Sequence, residues 1–191
     1  MTDQLRAKQK HTVRLTVAVL ATVVLLFFVA IVLKFANDRP DLKTVLEANN
    51  TLLFSTPRLL PEVSLIRHDG GEFTIDQFKG AWDIVNFGYT YCPDICPTNM
   101  ADMNIAHQQL SEAGVVDSVR FWMVSVDPAR DTIEQLSNYV PYFNEEFVGL
   151  TGDAGQITTL ATQLSAVFYQ EGSGEGYTVA HSDNYAIIDP K

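Results

Sequence analysis

The fold is decided by residues 82–98, which read WDIVNFGYTYCPDICPT. The first part of this stretch, residues 82–89, is an apolar run typical of a strand that is buried on both faces. Residues 98–113 place Met, Ala and Leu at three- and four-residue spacings, which predicts a helix. Cys92 and Cys96 therefore lie in the turn between a buried strand and a helix.

The pattern on either side of this stretch alternates between strands and helices. Further strands are predicted at residues 63–66, 119–126, 147–150 and 184–188, and further helices at residues 132–140 and 156–167. Repeated strand–helix–strand units predict an α/β fold whose sheet contains parallel strands and is covered on both faces. Ligands of such sheets bind at the carboxyl ends of the strands, which is where the two cysteines lie.

Cys92 and Cys96 are the only cysteines of the chain. A thiolate is both a nucleophile and a metal ligand, and the positive end of the helix should make one or both thiols more acidic. Pro97 suits the first helical position, where a missing N–H group costs nothing. Three intervening residues place the sulfurs about one helical turn apart, which favours a metal chelate, although a disulfide is still within reach.

A third ligand would come from one of four histidines. His11 precedes a long apolar run that we interpret below as a membrane span, so it would lie on the side opposite to the cysteines. His68 lies in a turn where we expect it to be solvated. His107 lies within a predicted helix, where we expect a surface or core role. His181 stands just before the last predicted strand, where a thioredoxin-like domain brings its last loop against the cysteine loop. This donor set suits Cu(I), which thiolates select, and it also describes a zinc site with one water.

The N-terminal region predicts a transmembrane helix. Residues 15–33 are nineteen consecutive uncharged residues, which roughly match a hydrocarbon core of about 30 Å. The basic residues that precede this run predict a cytoplasmic N-terminus; they are Arg6, Lys8, Lys10 and Arg14. A cleaved signal peptide is the alternative, but the run is longer than a usual signal segment and residues 31–34 offer no small-residue cleavage pattern.

Charge divides sharply along the chain. Residues 1–34 contain five basic residues and one acidic residue, whereas residues 35–191 contain eight basic and 22 acidic residues. A domain with a net charge of −14 is a poor binder of nucleic acid, because phosphates repel it. We therefore expect no nucleic-acid partner.

Three motifs together resemble the Sco/SenC family of copper-binding proteins. They are CPDICPT at residues 92–98, DPARDT at residues 127–132, and His181 ahead of IIDP at residues 187–190. The resemblance covers about residues 60–190 and the N-terminal anchor, and it implies a thioredoxin-like fold and a role in the assembly of cytochrome c oxidase. It also implies that Cys92, Cys96 and His181 bind copper, as Cu(I) or Cu(II).

The resemblance further implies that residues 127–132 shape the metal site from a neighbouring loop. From their chemistry alone, these residues are structural, and Asp131 or Thr132 is expected to cap the next helix.

The predicted organisation has four parts. Residues 1–14 are the cytoplasmic N-terminus, 15–34 the anchor in a bacterial inner membrane, 35–59 a linker and lead-in, and 60–191 a thioredoxin-like copper-binding domain on the periplasmic side. Because the chain stops directly after the last predicted strand, where such folds usually continue, we expect it to be truncated.

The expected function is that of a copper metallochaperone which delivers the ion to an oxidase subunit. The alternative is a thiol–disulfide oxidoreductase that reduces partner cysteines. A thiol peroxidase and a purely structural disulfide are weaker alternatives, since no arginine can be assigned to the former and a bridge closing so small a loop stabilises little.

Overall fold

The computed structural model describes residues 2–37, 41–174 and 176–191, with side chains for all of these except residues 2–13 and 36–37. The chain forms two compact units, Met1–Pro57 and Arg58–Lys191. The first unit contains helices α1 (Thr2–Asn37) and α2 (Leu42–Ala48). Within α1, Arg14–Phe35 is long and apolar enough to cross a membrane, with a mean hydropathy of 3.0 and no buried residues. This helix fits the predicted membrane association.

The second unit is built on a mixed sheet. Its strands are β1 (Ser64–Arg67), β2 (Glu72–Thr74), β3 (Trp82–Gly88), β4 (Val119–Ser125), β5 (Val148–Thr151) and β8 (Tyr185–Ile188). Across the six-stranded sheet the order is β2-β1-β5-β4-β3-β8. Strands β3, β4 and β5 are parallel, while β1 and β8 run antiparallel to β5 and β3. The apolar composition of β3 and β4 suits their positions in the interior of the sheet, where each has a neighbouring strand on both sides and both faces are covered.

Three helices cover the sheet. These are α3 (Ile95–Glu112), α4 (Ile133–Phe143) and α5 (Ala154–Gln163). Met100 and Met103 of α3 share one core cluster with Leu136 of α4, whereas Ile157 and Leu160 of α5 belong to another. The thioredoxin-like arrangement of helices around a mixed sheet confirms the predicted fold class.

A two-stranded hairpin completes the domain, and the sequence did not predict it. Strands β6 (Phe168–Glu171) and β7 (Thr178–His181) pair antiparallel in a sheet of their own. Helix α5 ends at Gln163, before the predicted residue 167, because Ser165 adopts a left-handed φ of 62°. His181 therefore lies at the end of a strand, where the sequence predicted a loop.

Candidate metal centre

The loop after β3 is fixed by a buried carboxylate. The Thr90 backbone N–H donates to both Asp131 carboxylate oxygens at 3.2 and 3.1 Å, and its hydroxyl donates at 2.7 Å. The Ser125 hydroxyl donates to the same carboxylate at 2.6 Å, so Asp131 joins the cysteine loop to the end of β4. Burial raises the pKa of Asp131, and these hydrogen bonds oppose the rise. Of the two predicted helix caps, Thr132 caps α4, accepting from a backbone N–H of its first turn.

Helix α3 begins at Ile95, three residues earlier than predicted. Pro97 is therefore the third helical residue, but this position also needs no helical hydrogen bond, because first-turn N–H groups have no helical partner. The Cys96 backbone N–H donates to Cys92 Sγ at 3.4 Å. This hydrogen bond holds the Cys92 sulfur, which lies in the preceding loop, against the first turn of α3.

Gly88 determines how closely α3 approaches the end of β3. A Cβ atom at residue 88 would lie only 3.2 Å from Cys96 Sγ, closer than most contacts of real Cβ atoms. A side chain at this position would push against the sulfur, so the absence of one lets Cys96 sit directly on the strand. Cys96 is completely buried and Cys92 is 8% exposed.

The predicted acidification by the helix is wrong for Cys96. Burial raises the pKa of the Cys96 thiol, the neighbouring Cys92 thiol adds to the rise, and the Tyr89 backbone N–H opposes it. Desolvation of a thiolate in this position outweighs the helix dipole. A metal ion that binds Cys96 must therefore displace its proton.

The imidazole of His181 lies against the Cys96 thiol. Its Nε2 is 3.1 Å from Cys96 Sγ, and its Nδ1 is 2.8 Å from the Ser182 carbonyl oxygen. Because a carbonyl oxygen only accepts hydrogen bonds, Nδ1 carries the proton and the Nε2 lone pair faces the sulfur. A backbone partner of this kind is typical of histidines that bind metals, since it fixes the ring and its tautomer.

Three ligand atoms gather at this point. Across the described ranges, Cys92, Cys96 and His181 form the one cluster of at least three potential ligands, and their donor atoms all lie within 4.8 Å of one another. Metal–sulfur and metal–nitrogen bonds of about 2.3 and 2.0 Å fit inside such a triangle. The set of two sulfurs and one imidazole nitrogen suits a soft metal ion, and Cu(I) in particular.

Two of the other histidines have structural partners. Contrary to expectation His68 is not solvated, because it is half-buried and its Nδ1 accepts from the Gly149 N–H at 3.0 Å. Burial lowers the pKa of His68. His107 contacts Glu146 Oε2 at 3.0 Å and packs on Phe121, which confirms its predicted surface or core role. The side chain of His11 lies outside the described residues.

Arg130 fastens the hairpin to the domain, a role that the sequence did not indicate. Its Nε donates to Asp127 at 2.5 Å and its Nη1 donates to the Tyr177 carbonyl oxygen at 3.0 Å. The guanidinium lies 3.6 Å from the centre of the Tyr177 ring, and the Tyr177 hydroxyl donates to Asp127 at 2.6 Å. On the same side, the Val179 N–H donates to the Tyr89 hydroxyl at 3.2 Å. These contacts connect the hairpin that carries His181 to the loop of residues 127–132 and to Tyr89 at the end of β3.

The fold and the cluster define a thioredoxin-like domain with a candidate metal centre made of two cysteines and one histidine. A family model described as SCO1/SenC matches residues 55–191. The chain therefore belongs to the SCO1/SenC family, as its motifs predicted.

Individual relatives agree with this assignment. A protein of Stutzerimonas stutzeri, whose assigned name describes copper binding, is 36% identical over 151 residues, covering 78% of this chain and 74% of the relative. The crystal structure of Arabidopsis thaliana ScoI with copper bound is 35% identical, with a TM-score of 0.63 over 68% of this chain and 81% of that chain. The crystal structure of yeast Sco1 with copper bound is 28% identical, with a TM-score of 0.64 over 70% and 75% of the two chains.

The overlap with eukaryotic relatives is partial in length. The chain spans 38–62% of the plant and fission-yeast proteins that it matches.

Proposed function

We propose that this chain binds one copper ion through Cys92 Sγ, Cys96 Sγ and His181 Nε2 and delivers it to cytochrome c oxidase during assembly of that enzyme. The observation that carries the proposal is the convergence of these three donor atoms within 4.8 Å. Membership of the SCO1/SenC family and the copper-bound structures of two relatives support it.

The donor chemistry supports copper as the cargo. Two thiolates and one imidazole form a soft ligand set that favours Cu(I), and imidazole also accommodates Cu(II). The Ser182 carbonyl oxygen accepts the hydrogen bond from Nδ1 of His181, which leaves Nε2 as the nitrogen that faces the sulfurs and would bind the ion. Binding releases a proton from the buried Cys96 thiol, whose raised pKa keeps it protonated in the metal-free protein.

The site is suited to passing its ion on. Three protein ligands leave a coordination position at which a donor from the recipient can bind before the ion leaves. Cys92 and His181 are more exposed than Cys96, so a recipient reaches the ion from their side. The recipient we propose is a copper-receiving subunit of the oxidase.

The apolar helix supports a membrane location for this transfer. Arg14–Phe35 would cross a bacterial inner membrane once, leaving residues 1–14 in the cytoplasm and the copper-binding domain in the periplasm. Residues 35–59 would then tether the domain at the membrane surface, where a membrane-bound oxidase is assembled.

A titration of the reduced full-length chain in detergent with Cu(I) tests the proposal. We expect tight binding of one ion per chain, lost in Cys92→Ser and Cys96→Ser and weakened at least ten-fold in His181→Ala, since the ion loses a ligand. His68→Ala and His107→Ala are matched controls, because both histidines lie outside the cluster, and they should bind like the unsubstituted protein. Tighter binding of Zn(II) than of Cu(I), or an unchanged Cu(I) affinity in His181→Ala, would contradict the proposal.

A second function is favoured by the proximity of the two free thiols. Their sulfurs lie within the same 4.8 Å cluster, so Cys92 could attack a partner disulfide and Cys96 could release the reduced partner by forming the Cys92–Cys96 disulfide. Reduction of an oxidised partner peptide by the metal-free protein, with one disulfide formed per disulfide reduced, distinguishes this activity. It should disappear in Cys96→Ser and survive in His181→Ala.

A further inference from the structure

Asn86 is a completely buried amide in the middle of β3. It is paired with Met123 of β4 on one side and with Tyr185 of β8 on the other. Neither its Oδ1 nor its Nδ2 has a hydrogen-bond partner among the described residues. A buried amide with no partner destabilises a fold, so an amide at this position requires an explanation other than packing.

The side-chain oxygen of Asn86 and the sulfur of Cys96 both lie beside Gly88. The space left by the missing side chain of Gly88 is bordered by Cys96 Sγ at 3.2 Å and by Asn86 Oδ1 at 3.5 Å from the same ideal Cβ position. The sulfur and the amide oxygen are therefore no more than 6.7 Å apart, the sum of these two distances. Gly88 itself has no side chain to separate the two, and because the nearby amide atom is the oxygen, the amide must rotate about its Cβ–Cγ bond to direct Nδ2 towards the sulfur.

Metal binding changes what Cys96 requires from its surroundings. Two thiolates, one neutral imidazole and one Cu(I) carry a net charge of −1, and a buried charge needs hydrogen-bond donors. Cys92 Sγ already accepts from the Cys96 N–H. The His181 ring, which faces Cys96 Sγ in the metal-free protein, would become a ligand itself. Cys96 then has the Tyr89 backbone N–H and capacity for a further donor.

We propose that Asn86 is a positioning residue whose amide N–H donates to the Cys96 sulfur when that sulfur binds the metal ion as a thiolate. The inference rests on the proposed copper site and adds to it a residue outside the ligand set. Hydrogen bonds to a ligating sulfur lower the energy of its lone pairs and hold its orientation, and loss of such a partner typically weakens metal binding 10- to 100-fold.

The side-chain amide resonances of the ¹⁵N-labelled full-length chain in detergent test this without any substitution. On addition of one equivalent of Cu(I), one Asn86 amide proton should move downfield and exchange more slowly with water. Asn99 is the internal control, since its buried Nδ2 is also unpartnered and it lies on α3 three residues after Cys96, so it reports any general effect of the metal ion on nearby buried amides. Unchanged Asn86 resonances in the copper-loaded protein would overturn the proposal.

Asn86→Leu provides the second measurement. Leucine is similar in size and removes both unpartnered atoms, so the metal-free variant should unfold at the same temperature or higher. Its Cu(I) affinity should fall about 10-fold or more, and its sulfur-to-Cu(II) absorption band should move to longer wavelength. Asn99→Leu should leave both the affinity and the band unchanged.

The outcomes separate this inference from the proposed function. Failure of the unsubstituted chain to bind Cu(I) rejects the copper site and the role of Asn86 together. Normal binding by the unsubstituted chain with an unaltered band and affinity in Asn86→Leu rejects the role of Asn86 alone. Equal changes in Asn86→Leu and Asn99→Leu also reject it, because they indicate a general effect of core amides.

Discussion

Replacing Arg130 with glutamine should loosen the hairpin that carries His181 without unfolding the sheet. Arg130 donates to the Asp127 carboxylate and to the Tyr177 carbonyl oxygen, and its guanidinium lies on the Tyr177 ring. Glutamine is shorter and uncharged, so it cannot make both hydrogen bonds or the ring contact. Asp127, only 4% exposed, would keep the Tyr177 hydroxyl as its donor but lose its positive partner.

The size of the effect follows from these contacts. Hydrogen bonds to charged groups contribute about 1.5–3 kcal/mol each, and a contact between a cation and an aromatic ring contributes about 0.5–1 kcal/mol. The Arg130 side chain is 18% exposed, so solvent reduces these values only in part. If about 2 kcal/mol of the loss falls on docking of the hairpin, the population of the detached hairpin rises about 30-fold.

Hydrogen exchange measures this population at individual amides. The Val179 N–H donates to the Tyr89 hydroxyl and is protected only while the hairpin is docked, so its exchange in Arg130→Gln should be about 30-fold faster. The Val124 amide in β4 should change much less. The apparent affinity for copper should decrease in proportion to the fraction of molecules whose hairpin is still docked, because only the docked form presents all three proposed ligands.

Arg120→Gln is the matched control. Arg120 donates two hydrogen bonds of 2.8 Å to the carboxylate of Asp83. Asp83 is buried, like Asp127, but none of these Arg120 contacts involves the hairpin. This variant should destabilise the whole domain and change all core amides together. The reasoning is refuted if Arg130→Gln gives the same uniform pattern, or if Val179 exchanges at its original rate.

Two further predictions concern β3, the strand that leads into the cysteine loop. Gly88→Ala should destabilise the domain by about 1–3 kcal/mol and shift the copper–thiolate absorption band, because the new methyl group would press on Cys96 Sγ. Gly176→Ala is the control: a Cβ atom at residue 176 has no neighbour within 4 Å, so neither the stability nor the band should change. Burial raises the pKa of Asp83 above its ordinary 3.8, so this carboxyl favours folding most when protonated and contributes less as pH rises through its folded-state pKa. In urea titrations at several pH values above about 4, the advantage of the unsubstituted protein over Asp83→Asn should therefore shrink as pH rises, and a constant difference would contradict this.

Much of the fold could be predicted because periodicity reports burial. The apolar runs of β3 and β4, and the spacing of Met100 and Met103, correctly indicated a central parallel pair covered by a helix. The hairpin was missed because its strands are short and only partly buried, so their sequence does not alternate clearly. The start of α3 was displaced because Pro97 was assigned to the first helical position when it is the third.

The sequence predicted the three residues that the structure brings together, but it did not predict the residues that hold them in place. Cysteine and histidine are residue types that bind metals, and the place of His181 before the last predicted strand, together with the resemblance to the Sco/SenC family, distinguished it from the other three histidines. Arg130 contacts Tyr177, which is 47 residues further along the chain. The role proposed for Asn86 depends on the space beside Gly88. Such partners depend on which strands lie side by side, and no local pattern encodes that.

The division of the ligands between two structural elements bears on how the ion would leave. Cys96 lies in the first turn of α3 and Cys92 in the loop just before it, a loop that the buried Asp131 carboxylate fixes to β4, so moving either sulfur disturbs the core. His181 lies on a hairpin outside the main sheet, which is attached by Val179 in the core and by the polar contacts of Arg130. Because the hairpin pairs with no strand of the main sheet, we expect its detachment to cost less than deformation of the core, so the imidazole should be the first ligand to yield when a recipient donor approaches. Two thiolates would then keep hold of the copper until the recipient has bound it.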